Sequence, residues 1–212
     1  MFRVVTVSRE FGSGGGMIAR SIAEKLGWDL LDRALIAEIA RVAQVPPETA
    51  VRYDEHVDSW WHRFSRGGLR SAAIVAGVSP GDAQLFDAET MAAFAQRVMM
   101  KAAAKGACVI VGRGAQCALQ DHEDVLHVFI YAPWAERIER VRARAEALED
   151  VERLIEVADQ ERASYIQTYY GCDWKDPHLY SMMLSSKGGT EKAASIIINT
   201  VLEETAVHAD AR

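Results

Sequence analysis

Residues 4–28 read VVTVSREFGSGGGMIARSIAEKLGW, and the middle of that stretch limits the possible folds more than any other part of the chain. Gly12, Gly14, Gly15 and Gly16 fall within five residues, interrupted by Ser13. Ahead of them FRVVTV is a short β-branched run, suited to a buried strand. Behind them Ile18, Ile22 and Leu26 recur at i, i+4 and i+8, one apolar face of a helix that Gly27 can stop. In the order strand, glycine loop, helix, several backbone N–H groups aim at one point. The helix end adds about half a positive charge there, which makes a preformed anion site. A ligand-free strand-to-helix turn is the competing explanation. Two glycines would serve such a turn, and each further glycine gives up backbone entropy on folding.

The phosphate loop of the Walker A type is written GxxxxGK[ST]. With Gly14 aligned to its second glycine, Arg9 stands at the first, Gly15 where the lysine belongs and Gly16 where the Mg²⁺-binding Ser or Thr belongs. The regular pattern fails, so a phosphate loop in this chain needs another source of positive charge.

The rest of the chain supplies further strands and helices. ACVIVGRGA (107–115) and VLHVFIYAP (125–133) are continuous apolar strands, and HLYSMMLSSKGG (178–189) contains a shorter one. DAETMAAFAQRVMMKAAAKG (87–106) has an acidic N-cap, helical spacing and a terminal glycine, so it reads as a helix whose methionines are core. Residues 134–171 form a long charged helical stretch, broken once near 147–151, and 190–208 a last amphipathic helix. Residues 48–84 mix charge, aromatics and glycine and read as helices and loops of an inserted, lid-like region. Trp60 and Trp61 there read as packing residues. Buried strands alternating with helices predict an α/β three-layer fold, a parallel sheet of about five strands covered on both faces. Ligands of such sheets bind beyond the carboxyl ends of the strands, where the loops 12–16 and 112–114 both fall.

A chain of 212 residues that is half hydrophobic suits a single domain with a sizeable core. Its net charge of -6 disfavours a general nucleic-acid binder, while a local arginine cluster still suits small anions. Cys108, Cys117 and Cys172 are few and odd in number and lack metal-ligand spacing, which points to a reducing compartment. Cys108 lies in a strand pattern and reads as core. No apolar run approaches the roughly 18 residues of a membrane helix, and the N-terminus enters strand pattern directly. The expectation is a cytoplasmic protein, monomer or weak homodimer, with small-molecule partners and neither nucleic acid nor membrane. The histidines are scattered; His56 and His62 do not make a metal site.

SREFGSGG after a strand, followed by IAEKLGWDLLDR, resembles the cytidylate kinase-like family, a branch of the nucleoside monophosphate kinases with a lysine-less Walker A loop. CVIVGRGA, the YAP strand end, ADQERASYIQTYYG and WKDPHLYSMMLSS match as well, so the resemblance covers nearly the whole chain and is weakest over 55–85. It implies a P-loop NTPase fold with a nucleotide-monophosphate-binding insertion, here about 47–100, and an arginine-bearing lid, here about 134–172. It implies phosphoryl transfer from ATP, with Mg²⁺, to CMP or dCMP. Gly12, Ser13, Gly14, Gly15 and Gly16 would cradle the ATP phosphates, and Arg9 would replace part of the lysine charge. An ion pair with Glu10 or Asp32 is the alternative role for Arg9. Asp32 and Arg33 fall beside the acceptor nucleotide, although Asp32 could equally cap a helix. Arg113 matches an arginine that recognises cytosine or its phosphate, but Val111 replaces the aspartate that helps it. Arg140 or Arg144 would reach the transferred phosphoryl group, unless Arg137, Arg140 and Arg144 merely line a solvated, salt-bridged helix. Asp159 and Arg162 match a lid Asp-x-x-Arg in which the arginine binds phosphate.

The replaced Lys, Ser/Thr and Asp leave two rival readings. One is a non-catalytic nucleotide-binding module. The other is a small-molecule kinase with a different acceptor, to which the changes at Arg33 and Val111 point.

Overall fold

The structure, a computed structural model, describes residues 1–32, 88–144 and 150–210. Five strands form one parallel sheet in which β1 (Val4–Arg9) lies between β3 (Cys108–Val111) and β4 (Val125–Tyr131). β2 (Asp29–Leu31) borders β3 at one edge, and β5 (Met182–Ser185) borders β4 at the other. The strand order is β2-β3-β1-β4-β5. The three inner strands are buried almost throughout, which is why they read as continuous apolar runs without alternation. β5, at an edge, alternates half-buried and exposed residues instead.

Helices cover both faces. α1 (Gly15–Leu26) packs with α6 (Thr190–Asp210), and Ile18, Ile22, Ala194 and Ile197 meet Val5, Val7, Leu126 and Val128 between them. Ile18 and Ile22 are fully buried, and each such side chain contributes about 1.5–3 kcal/mol. On the opposite face α2 (Ala88–Lys105) and α3 (Ala115–Ala118) pack Val98, Met99 and Ala102 against Val4, Leu31 and Ile110. Cys108 is in this layer, and burial pushes its thiol up to about 12, which fits the core role read from the sequence. α4 (Trp134–Arg142) and α5 (Val151–Tyr170) follow β4. The break expected near 147–151 lies between them, and Asp150 caps α5 by accepting from the Arg153 N–H at 3.0 Å.

Most of the insertion expected over 47–100 lies outside the described residues, as do Arg33, Trp60, Trp61, His56 and His62. Among the described residues no helix is long and apolar enough to cross a membrane, and no three or more His, Cys, Asp or Glu side chains form a metal-binding group.

Because β1 and β3 are neighbours, with Val7 level with Val111, the two glycine loops that follow them lie side by side. The register of β2, with Leu31 level with Ile110, brings Asp32 to the same edge.

Candidate active site

The first loop turns from β1 into α1 between Glu10 and Gly14. Its shape is fixed by backbone bonds to its own residues and to neighbouring strands. The Glu10 N–H donates to Ile130 O at 3.0 Å. Ser13 donates both its N–H, at 3.3 Å, and its hydroxyl, at 2.8 Å, to Glu10 O, and its side chain is fully buried. The hydroxyl therefore closes the turn. Gly14 is the N-cap of α1 at φ 81, a conformation that costs other residues roughly 1–2 kcal/mol. The amides of Gly14, Gly15 and Gly16 donate to no acceptor among the described residues. They are the orphan donors of a helix start, and they sit together at the positive end of a 12-residue helix.

Five side chains from α4, α5 and β5's far end hold this loop from below. Arg137, only 5% exposed, donates from Nε to Phe11 O at 2.6 Å and pairs through Nη2 with Asp159 and through Nη1 with Glu10 at 3.4 Å. Its guanidinium lies over the Trp134 ring, 5.3 Å from the centroid. Asp159 accepts from the Phe11 N–H at 2.7 Å, so this carboxylate and Arg137 grip both sides of one loop residue. Arg162 donates to Arg9 O at 3.2 Å and to Asp159 at 3.3 Å, with its guanidinium 5.4 Å over the Phe11 ring. Arg140 donates to Ser13 O at 3.2 Å and to Ser186 Oγ at 2.9 Å, while Ser186 Oγ donates to Ser13 O at 2.6 Å. Arg144 stands apart from this group, exposed, with Nη2 2.8 Å from Met17 Sδ in the first turn of α1. Of the lid residues singled out from the sequence, Asp159, Arg140 and Arg162 thus hold loop backbone, and Arg144 reaches the helix start.

The second loop is built differently. Gly112, Arg113 and Gly114 take φ 72, 57 and 74 in succession, and Gly114 starts α3. A non-glycine residue in this conformation is uncommon and clusters at functional sites. Tyr170 and Tyr165 both hold Arg113 there. The Tyr170 hydroxyl donates to Arg113 O at 3.0 Å, and the guanidinium lies 5.9 Å from the Tyr165 ring centroid. Burial raises the Tyr170 phenol's pKa, so it stays the protonated donor. Beneath the loop Ser8 donates to the buried Gln116 Oε1 at 2.9 Å.

The sheet edge therefore brings together Arg9, Gly12–Gly16, Asp32 and Arg113. Arg137, Glu10 and Ser186 belong to the same assembly but were not chosen from the sequence. Arg137 carried only a weak signal, its place on one face of a charged helix with Arg140 and Arg144. Ser186 carried none.

A parallel five-stranded sheet in this order, with a glycine loop after its central strand and helices on both faces, is the P-loop NTPase fold. Solved structures that share it include the following two. A protein from Eubacterium ventriosum ATCC 27560, titled uncharacterized, superposes with a TM-score of 0.68 at 21% identity, covering 93% of this chain and 97% of the other. Shikimate kinase from Acinetobacter baumannii, in complex with shikimate, superposes with a TM-score of 0.51 at 14% identity, covering 96% and 95%. None of the curated proteins matches this chain. Residues 4–188 match the cytidylate kinase-like family, and the chain belongs to it. The family supports a kinase-type function for the chain.

Proposed function

We propose that the protein transfers the γ-phosphoryl group of ATP to a nucleoside monophosphate, CMP or dCMP first. The observation that carries this is the trio of unbonded amides at Gly14, Gly15 and Gly16, with Arg9 below them and Arg144 at the same helix turn. Backbone amides at a helix start bind phosphate oxygens without a lysine. On this reading Gly12–Gly16 receive the ATP phosphates, and Arg113 and Asp32, at the ends of β3 and β2, face the acceptor. In-line transfer asks for positioning and charge stabilisation rather than a nucleophilic side chain, and arginines meet phosphate oxygens bidentately. Asp159 and Arg162 act by keeping the loop in shape, with Arg162 close enough to serve phosphate as well.

The residues fit ATP phosphates better than a protein-built metal site. Gly16 offers no hydroxyl, and no acidic cluster stands among the described residues. Mg²⁺ would be held by phosphate oxygens and by Asp32, and when bound it supplies neutralising charge.

One observation favours a second reading, a kinase for a different small molecule. Val111, where the related enzymes read cytosine with an aspartate, is 3% exposed and packs in the core. The shikimate kinase relative, on the same fold, is complexed with a non-nucleotide.

The test is ADP release from ATP and Mg²⁺ with CMP, dCMP, UMP, AMP, GMP and shikimate offered separately. Release that depends on CMP or dCMP is expected. Release with shikimate alone supports the second reading. ATP binding without release for any of them refutes the monophosphate kinase.

A further inference from the structure

Gly15 is a glycine that its backbone does not require. It is the first residue of α1, and its φ lies outside the left-handed region. Any residue fits the first turn of a helix by conformation. What excludes a side chain is Arg9. A Cβ on Gly15 would stand 2.6 Å from Arg9 Cβ and 2.9 Å from Arg9 Cγ, against an ordinary 3.5 Å contact with Ile130 Cβ. The arginine's stem fills the space from which a lysine at position 15 would start. The other end of the same side chain reaches the second loop, where a Cβ on Gly112 would stand 2.2 Å from Arg9 Nη1.

We propose that Arg9 and Gly15 are a positional exchange. Arg9 supplies from the strand side the phosphate-binding cation that a lysine would supply from the helix, and Gly15 is small because Arg9 passes beside it. This rests on the phosphotransfer reading above and adds a residue role to it. The side chain runs from the donor-phosphate loop, where its stem lies against Gly15, to Gly112 on the acceptor side, where its guanidinium lies. On this proposal the guanidinium meets the phosphoryl group from that side, with a planar fork that a lysine lacks. Arg9 is then a catalytic residue in the strict sense, touching the transferred group.

The exchange predicts which substitutions rescue each other. The nearest contact is Cβ to Cβ, so Arg9→Ala leaves it in place, and only Arg9→Gly clears it. Wild type, Arg9→Gly, Arg9→Ala, Gly15→Lys, Arg9→Gly/Gly15→Lys and Arg9→Ala/Gly15→Lys are compared by ligand-free thermal melting and by calorimetric binding of ATP with Mg²⁺. Gly15→Lys should lower the melting temperature when Arg9 or Ala is at position 9 and be tolerated when glycine is there. Arg9→Gly should weaken ATP binding about 10- to 100-fold, the worth of one charged hydrogen-bonding group, and the double variant with glycine should regain most of it. Equal destabilisation by Gly15→Lys in all three backgrounds overturns the exchange. ATP binding that ignores Arg9→Gly overturns the cation role while leaving the kinase reading intact. A wild type that binds no ATP overturns the kinase reading and the cation role together, and the melting comparison still decides the exchange.

Discussion

Arg137→Met tests whether the first loop owes its shape to a buried charge. Methionine keeps the length of the side chain and removes the guanidinium. Three acceptors lose a donor: Phe11 O at 2.6 Å, Asp159, and Glu10 at 3.4 Å. Asp159 and Glu10 have side chains only 14% exposed, so water reaches them poorly. Removing one member of a buried pair typically costs about 3–5 kcal/mol, because a desolvated charge is left behind. The low end applies here. Asp159 keeps the Phe11 N–H at 2.7 Å and Arg162 at 3.3 Å, and Glu10 keeps Lys175 at 3.4 Å. A loss of about 3 kcal/mol is a large share of the roughly 5–15 kcal/mol that holds a domain folded. Urea unfolding followed by tryptophan fluorescence reads it as a lowered midpoint at constant slope. Arg142→Met is the control. Its ion pair with Glu152, at 3.0 Å, has an arginine side chain 62% exposed, and such pairs are worth at most about 1 kcal/mol. Asp159→Asn added to Arg137→Met should recover part of the loss, since the carboxylate that has lost its closest cation is gone while an acceptor for the Phe11 N–H remains. Equal losses for Arg137→Met and Arg142→Met, or strict additivity in the double variant, would refute the buried-charge argument.

At Arg113, φ 57 makes glycine the conformationally easier residue. Arg113→Gly should be more stable than Arg113→Ala by about 1 kcal/mol in the same unfolding assay, while both lose turnover. A more stable alanine variant would show that the loop is not strained. His127 is buried, with Nδ1 2.7 Å from Thr6 Oγ1 and Nε2 3.3 Å from Leu119 O. Burial holds its pKa below the ordinary value, the Leu119 carbonyl opposing this in part. The folded state thus takes up its proton less readily than the unfolded chain. The contribution of this group is fully present above about pH 6.5 and is lost as pH falls toward the folded pKa, by up to about 1.4 kcal/mol per pH unit. His127→Gln should flatten the stability profile below about pH 6.5, and an unchanged slope would assign it to other groups.

The division between what the sequence shows and what it hides follows the range of the interactions. β1, β3 and β4 were legible because strands buried on both faces need apolar residues at every position. Two helix ends were legible because Gly27 and Gly106 act on their own backbone. Two of the loop's supports, Arg137 and Ser186, were not, since they join parts of the chain far apart. Arg137 meets Phe11 across 126 positions, and Ser186 meets Ser13 across 173. Only a shared helix face with Arg140 and Arg144 sets Arg137 apart from Arg142 on the same helix, yet one is 5% exposed and the other open to solvent. The same holds for Gly15. Read alone, a glycine in the lysine position looks like a lost function. Only the distance from its absent Cβ to Arg9 shows that the space is filled by the stem of an arginine entering from the preceding strand. A motif defined by the order of residues cannot register such a change. What phosphate binding requires is positive charge at a point in space, and a β-strand and a helix that converge on one loop offer two routes by which a side chain can bring it there.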